Sequence, residues 1–430
     1  MSEPAFSPPE ASAAPLRIAL LGYRSNPYSG GQGVYLKYLS RALVDAGHRV
    51  DVISGQPYPE LDPRVGLVPL PGLNLYAAPN HVTALRPRHL LSATDTFEWA
   101  SMLTGGFPEP YTFGRRLTRH FTELARRGER YDIVHDNQCL SWGTLALQQR
   151  GLPLVTTIHH PIHWDRAIAV AHARNRRHRL LIRRWHNFLR MQTRVAGRLR
   201  HIVTVSERSK RDICEAFGIP SERVQVIHNG IDTAAFRPEP EVVRESRLLI
   251  TTASADQPLK GAQHLLPAFA TLVQQFPDLR LVFVGKPKPG GATARLIRRL
   301  DLADRIEFLH GVSADEFRRL YARATLAVVP SEYEGFGLPA GEAMACGTPV
   351  VSTDGGALPE VVGDAGRIVP ARNPAALAQA IGELLRDGAA RETLGRQGRQ
   401  RMQERFSWER AATALTDYYR RVIADTAVPA

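Results

Sequence analysis

The stretch Ser331-Glu-Tyr-Glu-Gly-Phe-Gly-Leu-Pro-Ala-Gly-Glu-Ala-Met-Ala-Cys-Gly347 decides the fold. It follows a short apolar run, Leu326–Pro330, of the kind that forms a strand buried on both faces. A loop carrying Glu334 and Gly335-Phe-Gly337 comes next, and helical spacing begins at Leu338. Pro339 suits a first helical turn, where its missing N–H leaves no bond unmade. The free N–H groups of such a turn, together with the helix dipole, favour an anion, so phosphate is expected there. Two carboxylates beside a phosphate seat make chemical sense when each binds hydroxyls. Glu334, on the loop, can face a cleft, and Glu342, on the first helical turns, can reach a ribose. The plainer alternative is an ordinary strand–turn–helix with acidic surface residues.

The same alternation extends in both directions. Strands are expected at Arg247–Thr252, Leu279–Gly285, Ile306–Leu309 and Pro349–Thr353, with a short last one at Ile368–Val369. Helices fall at Ala262–Gln275, Ala292–Leu300, Ala314–Ala322 and Leu338–Cys346, and two more follow near Ala375–Arg386 and Ser407–Ala424. Upstream, Leu16–Leu21, a glycine loop, a helix from Val34 to Ala46 and a strand from Arg49 make a βαβ unit. Further strands are expected at Val65–Pro69, Ile133–His135, Leu154–Ile158 and His201–Val205. Residues 56–112, rich in Pro, Gly and aromatics, read as long loops. The turn-rich segment His228–Arg237 is the natural boundary. The expected organisation is a disordered tail (1–15), a Rossmann-like domain (16–235), a second Rossmann-like domain (236–405) and a last helix (406–430) crossing back to the first domain. The fold class is α/β, with two parallel-sheet domains facing a central cleft.

Composition narrows the function. The 430 residues are 43% hydrophobic and 23% charged, which is globular, and three cysteines (Cys139, Cys214, Cys346) suit a reducing compartment better than a disulfide framework. The opening residues lack a basic and an apolar signal-peptide region, and no apolar run is long enough to span a bilayer. A cytoplasmic location follows as the expectation. The formal charge of +13 is concentrated: residues 166–211 hold 14 Lys and Arg against one acid, Glu207, and the remainder is balanced. Nucleic acid binding therefore has no chain-wide footprint.

The acidic glycine loop resembles the Glu-x7-Glu signature, with Glu-Gly-Phe-Gly-Leu and Glu-Ala-Met-Ala, of retaining glycosyltransferase family 4, whose members have the GT-B two-domain fold. The resemblance covers roughly residues 16–425, and implies that the domain 16–235 binds the acceptor and the domain 236–405 the nucleotide sugar. It implies that Glu334 contacts hydroxyls of a donor sugar and that Glu342 holds the nucleotide ribose. It also implies that the amides of Gly335, Phe336, Gly337 and Leu338 lie near sugar and diphosphate. Gly30-Gly31-Gln32-Gly33 resembles the family's N-terminal glycine loop, where glycine permits positive φ and close backbone approach. Asn229-Gly230-Ile231-Asp232 resembles its interdomain segment, and Asp354-Gly355-Gly356 with Glu360 its next glycine turn. Lys260 matches the lysine that holds the diphosphate. Six residues earlier, where the family usually has Arg, this chain has Ser254, which donates a hydrogen bond but supplies no charge. Arg24, or Lys286 just after the strand-end Gly285, could compensate. His159, at the end of Val155-Thr-Thr-Ile-His, matches a histidine that bonds the donor sugar or supports acceptor geometry.

The expected activity is retaining transfer of a hexosyl unit from a nucleotide sugar (UDP-glucose, UDP-N-acetylglucosamine or GDP-mannose) to a small-molecule, glycan or lipid-linked acceptor. The catalytic candidates are His159, Lys260 and Glu334. No metal is expected, since the chain has no Asp-x-Asp and the resemblance implies charge stabilisation by amides and Lys260. His160 and His163 lack further ligands for zinc. The alternatives are a nonenzymatic nucleotide-sugar-binding protein and a nucleotide-sugar epimerase; a dinucleotide oxidoreductase lacks its glycine fingerprint. The basic segment is expected as one helix, Arg176–Leu199, with Arg179, Arg183, Arg190 and Arg194 on one face and Leu181, Trp185, Phe188, Val195 and Leu199 opposite. It is either a solvated domain helix or a contact with an anionic membrane at the inner face.

Overall fold

The computed structural model describes residues 14–427 apart from 27–30, 76, 79, 81, 83, 85, 172, 174 and 253–255. Residues 1–13 of the expected tail, Gly30 and Ser254 thus lie outside the described residues. The apolar runs pair into two parallel sheets. The first comprises β1 (Arg17–Gly22), β2 (Arg49–Ser54), β3 (Gly66–Pro69), β4 (Ile133–Asn137), β5 (Leu154–Thr157), β6 (Ile202–Thr204) and β7 (Val224–Val226), in the order β3-β2-β1-β4-β5-β6-β7. The second comprises β8 (Leu248–Thr252), β9 (Arg280–Val284), β10 (Ile306–Leu309), β11 (Leu326–Val329), β12 (Val350–Thr353) and β13 (Arg367–Val369), in the order β10-β9-β8-β11-β12-β13. Helices cover both faces of each sheet, so β4, β5, β11 and β12 are buried at every residue and their sequences need no polar alternation. The strand order reverses beside β1 and beside β8, and loops at the carboxyl ends of such strands form ligand crevices.

Two chain crossings join the domains, and they lie side by side. Ile231 forms an isolated parallel bridge with Ser407, its N–H donating to the Phe406 carbonyl at 2.7 Å. Gly230 fits because any Cβ there would sit 2.3 Å from the Trp408 nitrogen. Asp232 accepts from the N–H groups of Ala234 and Ala235 at 3.1 and 2.9 Å, turning the chain into the second domain. The Trp408–Ala427 helix then packs on the Gly31–Asp45 helix. Its Trp408, Leu415, Tyr419 and Val422 share a core with Ile18, Leu20, Leu36 and Leu39 of the first domain. The Tyr419 hydroxyl reaches the buried His135 on β4, whose other ring nitrogen meets Thr157 Oγ1 at 2.6 Å.

Three local expectations are corrected. Residues 56–112 hold more than loops and the expected strand β3: a 3-10 turn at Pro87–Leu91, the Ala93–Leu103 helix capped by Ser92, and the start of the Glu109–Arg126 helix. A helix unforeseen in the sequence, Gly388–Arg405, packs on Leu338–Ala345. The basic segment is two helices, Arg176–Trp185 and Leu189–Ala196, separated by a 3-10 turn at His186–Phe188. Val195 and Leu199 are fully buried as expected, but Leu181 is 47% exposed and Trp185 stacks on Phe107 with centroids 4.9 Å apart.

Candidate active site

Two glycine turns build the seat around Glu334. The Lys260–Gly261 turn lies directly on the end of β11: Gly261 has φ +73°, and a Cβ there would meet the Pro330 carbonyl oxygen at 1.8 Å. The Glu332 N–H donates to the Leu259 carbonyl at 2.8 Å, locking the two loops together. Gly337, with φ +104°, turns the chain into the Leu338–Ala345 helix with Pro339 in its first turn. The leading N–H groups of that helix, which have no intrahelical acceptor, point back toward the loop. Behind the loop, the Ala357 N–H donates to the Glu334 carbonyl at 2.8 Å, so the Gly355–Gly356 turn holds the Glu334 backbone.

These turns bring together residues 74 apart in the chain. Lys260 Nζ donates to Glu334 Oε1 at 2.8 Å, and Ser331 Oγ donates to the same oxygen at 2.8 Å. The two candidates with opposite charge therefore pair with each other, and the Lys260 ammonium, partly exposed, has two further N–H donors that a phosphate could take. Glu342, one helical turn into the Leu338–Ala345 helix, is half-buried. Burial pushes its carboxyl up to about 8, opposed by a hydrogen bond from Tyr321. It is thus a neutral acid at pH 7 that hydroxyl donors would convert to carboxylate.

On the first domain, His159 closes the other side of the cleft. Its ring Nε2 meets Asn137 Oδ1 at 2.6 Å, while Asn137 Nδ2 donates to the Gln32 carbonyl at 3.2 Å. That carbonyl fixes the amide orientation, so Nε2 carries the ring proton and Nδ1 is left as an acceptor. Tyr35 stands edge-on to the ring at 4.7 Å. Burial, reinforced by His160 and His135, pushes the His159 pKa down to about 3, so the ring is neutral at any working pH. Gly33 sits inside the Gly31–Asp45 helix without positive φ; its requirement is space, since a Cβ would be 2.0 Å from the Asn26 carbonyl oxygen, whereas Gly31 faces open room. Positive φ is therefore not what these two glycines supply.

The Glu334 loop also docks on the first domain. The Gly335 carbonyl accepts from Ser206 Oγ at 2.8 Å and Ser209 Oγ at 3.0 Å, and a Cβ on Gly335 would lie 3.1 Å from the His159 carbonyl oxygen. Tyr333 Oη donates to Asp212 Oδ2 at 2.7 Å. Glu360 accepts the Glu207 N–H and meets His228 Nε2 at 2.5 Å; burial would raise its pKa, but these bonds bring the net shift down. Glu334, Lys260, Gly335 and His159 thus meet at one place between the domains.

Other candidates fare differently. The Phe336 ring is buried against Phe406 at 5.7 Å, so only its backbone faces the seat. Leu338 packs on the same core from the first helical turn. Gly285 ends β9 with its N–H on the Leu309 carbonyl, and the following Lys286 is exposed. Arg24 pairs with Glu109 at 3.1 Å, so it is already engaged as a counter-charge in the first domain. His160 turns to Asp165 at 3.2 Å and His163 to Thr193 at 3.0 Å, two different partners. Ser331, Ser206, Ser209 and Tyr321 join the site without any sequence signal, because their roles depend on which loops the fold brings together.

Comparison with known proteins bears on this site. The family profile for glycosyltransferase family 4 matches residues 29–235, and that for glycosyl transferases group 1 matches residues 235–401. The chain is 45% identical to the MMP alpha-(1->4)-mannosyltransferase of Mycolicibacterium hassiacum over 96% of this chain and all of that one. The chain belongs to glycosyltransferase family 4. It is also 29% identical to the D-inositol 3-phosphate glycosyltransferase of Salinispora tropica, over 96% of this chain and 86% of that one. Among solved structures it is similar to sucrose-phosphate synthase from Thermosynechococcus elongatus, with 25% identity, a TM-score of 0.71, and 95% and 99% of the two chains covered. Anabaena HepE in complex with UDP-glucose shares the fold at 18% identity and a TM-score of 0.67, over 94% of this chain and all of that one. The architecture is therefore GT-B, and the family member is a glycosyltransferase. No helix among the described residues is long and apolar enough to cross a membrane.

Proposed function

We propose that this glycosyltransferase is a retaining mannosyltransferase that takes its mannosyl unit from a nucleotide-activated mannose, of which GDP-mannose is the form to test first. The observation that carries the reading is the Lys260–Glu334–Ser331 cluster at the head of the Leu338–Ala345 helix, in a chain 45% identical along its length to a named mannosyltransferase. In this reading Lys260 leaves Glu334 for the donor diphosphate, joined by the leading amides of the helix. Glu334 is thereby released to hydroxyls of the sugar, and Glu342 accepts from the ribose. His159, neutral and with Nδ1 as acceptor, bonds a further sugar hydroxyl. The bond from the anomeric carbon to phosphate breaks with its electron pair going to the diphosphate. The acceptor oxygen then bonds that carbon on the same face, and its proton passes to the departing phosphate oxygen. The negative charge is met by Lys260 and amides, which supports transfer without a metal ion.

The acceptor would lie on the first domain. A cavity of about 470 Å³ there is floored by Phe97, Phe107, Tyr111, Trp142 and Phe188, with Arg184, Arg190 and Arg194 around it. Aromatic faces of this kind stack on the C–H faces of sugar rings, which favours a glycan acceptor. Peripheral membrane contact is a second reading, favoured by Leu180 and Leu181, 67% and 47% exposed beside the arginines of the same helix; sedimentation with anionic liposomes tests it. Incubation of the purified chain with GDP-mannose and mannoside acceptors, with the anomeric configuration of the product read by NMR, tests the main proposal. An α-linked mannoside is expected. Transfer from UDP-glucose in preference, a β-linked product, or donor binding without turnover would overturn it.

A further inference from the structure

The Leu338–Ala345 helix has the donor seat at one end and a second cavity at the other. This cavity, about 570 Å³, opens where the segment after the linker, the residues following that helix and the Gly388–Arg405 helix meet. Its wall includes Pro238, Cys346, Gly347 and Pro349, and four arginines, Arg244, Arg391, Arg396 and Arg399, face a single carboxylate, Glu392.

Some arginines of this domain pair with acids: Arg318 with Glu239 and Asp315, Arg323 with Glu245, Arg372 with Glu332. Around the cavity their hydrogen bonds go to neutral oxygens. Arg399 Nη1 donates to the carbonyls of Thr233, Phe236 and Ala345 at 3.0, 2.8 and 2.9 Å. Arg391 Nη1 donates to the carbonyls of Leu384 and Leu385, Arg244 Nη2 to that of Gly347 at 3.3 Å, and Arg396 reaches Thr393 Oγ1 at 3.5 Å. In Arg391 and Arg399 a carbonyl anchor on one nitrogen fixes the guanidinium and leaves other N–H groups for a ligand. Burial, and the nearby charge of Arg391, lower the Arg244 pKa, so these cations also repel one another.

Like charges gathered round a concave surface and fixed by backbone carbonyls are relieved by a polyanion, and the planar fork of Arg matches phosphate oxygens. The volume suits a small molecule rather than a bare ion, and Gln400 and Gln403 add polar groups for its neutral part. We propose that this cavity is a second anion-binding site, separate from the donor seat, that takes a phosphorylated small molecule. The site lies where Arg399 ties the interdomain linker to the end of the donor helix, since Thr233 and Phe236 belong to the linker and Ala345 to the helix. Its Cys346 follows Glu342 by one helical turn.

Inorganic pyrophosphate is the probe, titrated calorimetrically into the full chain carrying Lys260→Ala so that the donor seat contributes little. Saturable binding of one pyrophosphate per chain is expected. Adding Arg244→Glu and Arg396→Glu, two residues with few hydrogen bonds of their own, should weaken it at least about tenfold. Gln at the same two positions should weaken it in the same direction while preserving the fold. Reversing Arg298 and Arg299, exposed on the separate Ala292–Arg299 helix, should leave it unchanged. No binding in the Lys260→Ala chain, retention in the Arg244/Arg396 variants, or equal loss in the Arg298/Arg299 control would overturn the proposal. The mannosyltransferase reading is untouched by any of these outcomes, because its own test is donor turnover.

Discussion

Replacing Glu342 by Gln is expected to remove the pH dependence of nucleotide binding. Burial, partly offset by Tyr321, holds the Glu342 carboxyl at about 8. At pH 7 roughly one such carboxyl in ten is ionised. Ribose hydroxyls donate hydrogen bonds and so select the carboxylate, which means that binding nucleotide releases a proton. Affinity should therefore rise with pH. Worked through linkage, the wild-type dissociation constant for a nucleoside diphosphate falls roughly tenfold between pH 7 and pH 9, most of it below pH 8. Over this window the terminal phosphate is already ionised, its second pKa being near 6, and His159 is already neutral. Glu109, which burial holds at about 7 against the pull of Arg24, titrates at the lower edge, so Glu342→Gln is the comparison that isolates Glu342. Calorimetry in buffers of different ionisation enthalpy should show nearly one proton released at pH 7 in the wild type and far less in the variant. The same shift has a sign for stability. A folded-state pKa above the ordinary carboxylate value means that this group favours the folded state less as pH rises toward 8, a component the Gln variant should lack. A wild-type dissociation constant that stays flat from pH 7 to 9, with heat independent of buffer, would refute the reasoning.

Further outcomes follow from the same contacts. Lys260→Ala should weaken nucleoside diphosphate binding by about tenfold to a hundredfold, whereas Glu334→Ala, which frees Lys260, should preserve or tighten it while lowering turnover by a similar factor; parallel losses in both measurements would contradict the division of roles. Gly230→Ala sets a Cβ 2.3 Å from the Trp408 nitrogen and should destabilise the chain by about 1–3 kcal/mol in thermal or denaturant unfolding. Tyr419→Phe strands the buried His135 ring nitrogen and should cost about 1–3 kcal/mol by the same measurement, a loss absent if water replaces the hydroxyl. Transfer should persist in excess chelator, and activity lost to EDTA and restored by Mg²⁺ or Mn²⁺ would show that a metal takes part.

Much of the architecture was legible because parallel strands covered on both faces need unbroken apolar runs, and such runs are local. Val-Phe-Val before Gly285 and Leu-Ala-Val-Val before Pro330 read as buried strands from composition alone. The Ala262–Gln275 helix matched its apolar spacing to the residue. The loop carrying Glu334 and the helix carrying Glu342 were equally legible, since they are adjacent in the chain. The Gly388–Arg405 helix was not legible. It lies on its neighbour through Gly395 and Gly398, a Cβ on the latter meeting Met344 at 3.3 Å, and so presents no apolar stripe. The basic segment misled in the opposite way: its helical spacing is real, but Leu180 and Leu181 find no core to cover them.

What the sequence by itself determined is most of the strands and the placement of Glu334 on a loop with Glu342 on the helix that follows, because both depend on neighbours a few residues apart. Tertiary structure alone decided the charge state of Glu342, the union of Lys260 with Glu334, the ring tautomer of His159 and the zipper between Gly230 and Trp408. Each of these depends on burial or on contact between segments tens to hundreds of residues apart, and no local pattern encodes the dielectric around a carboxyl or the distance between two loops.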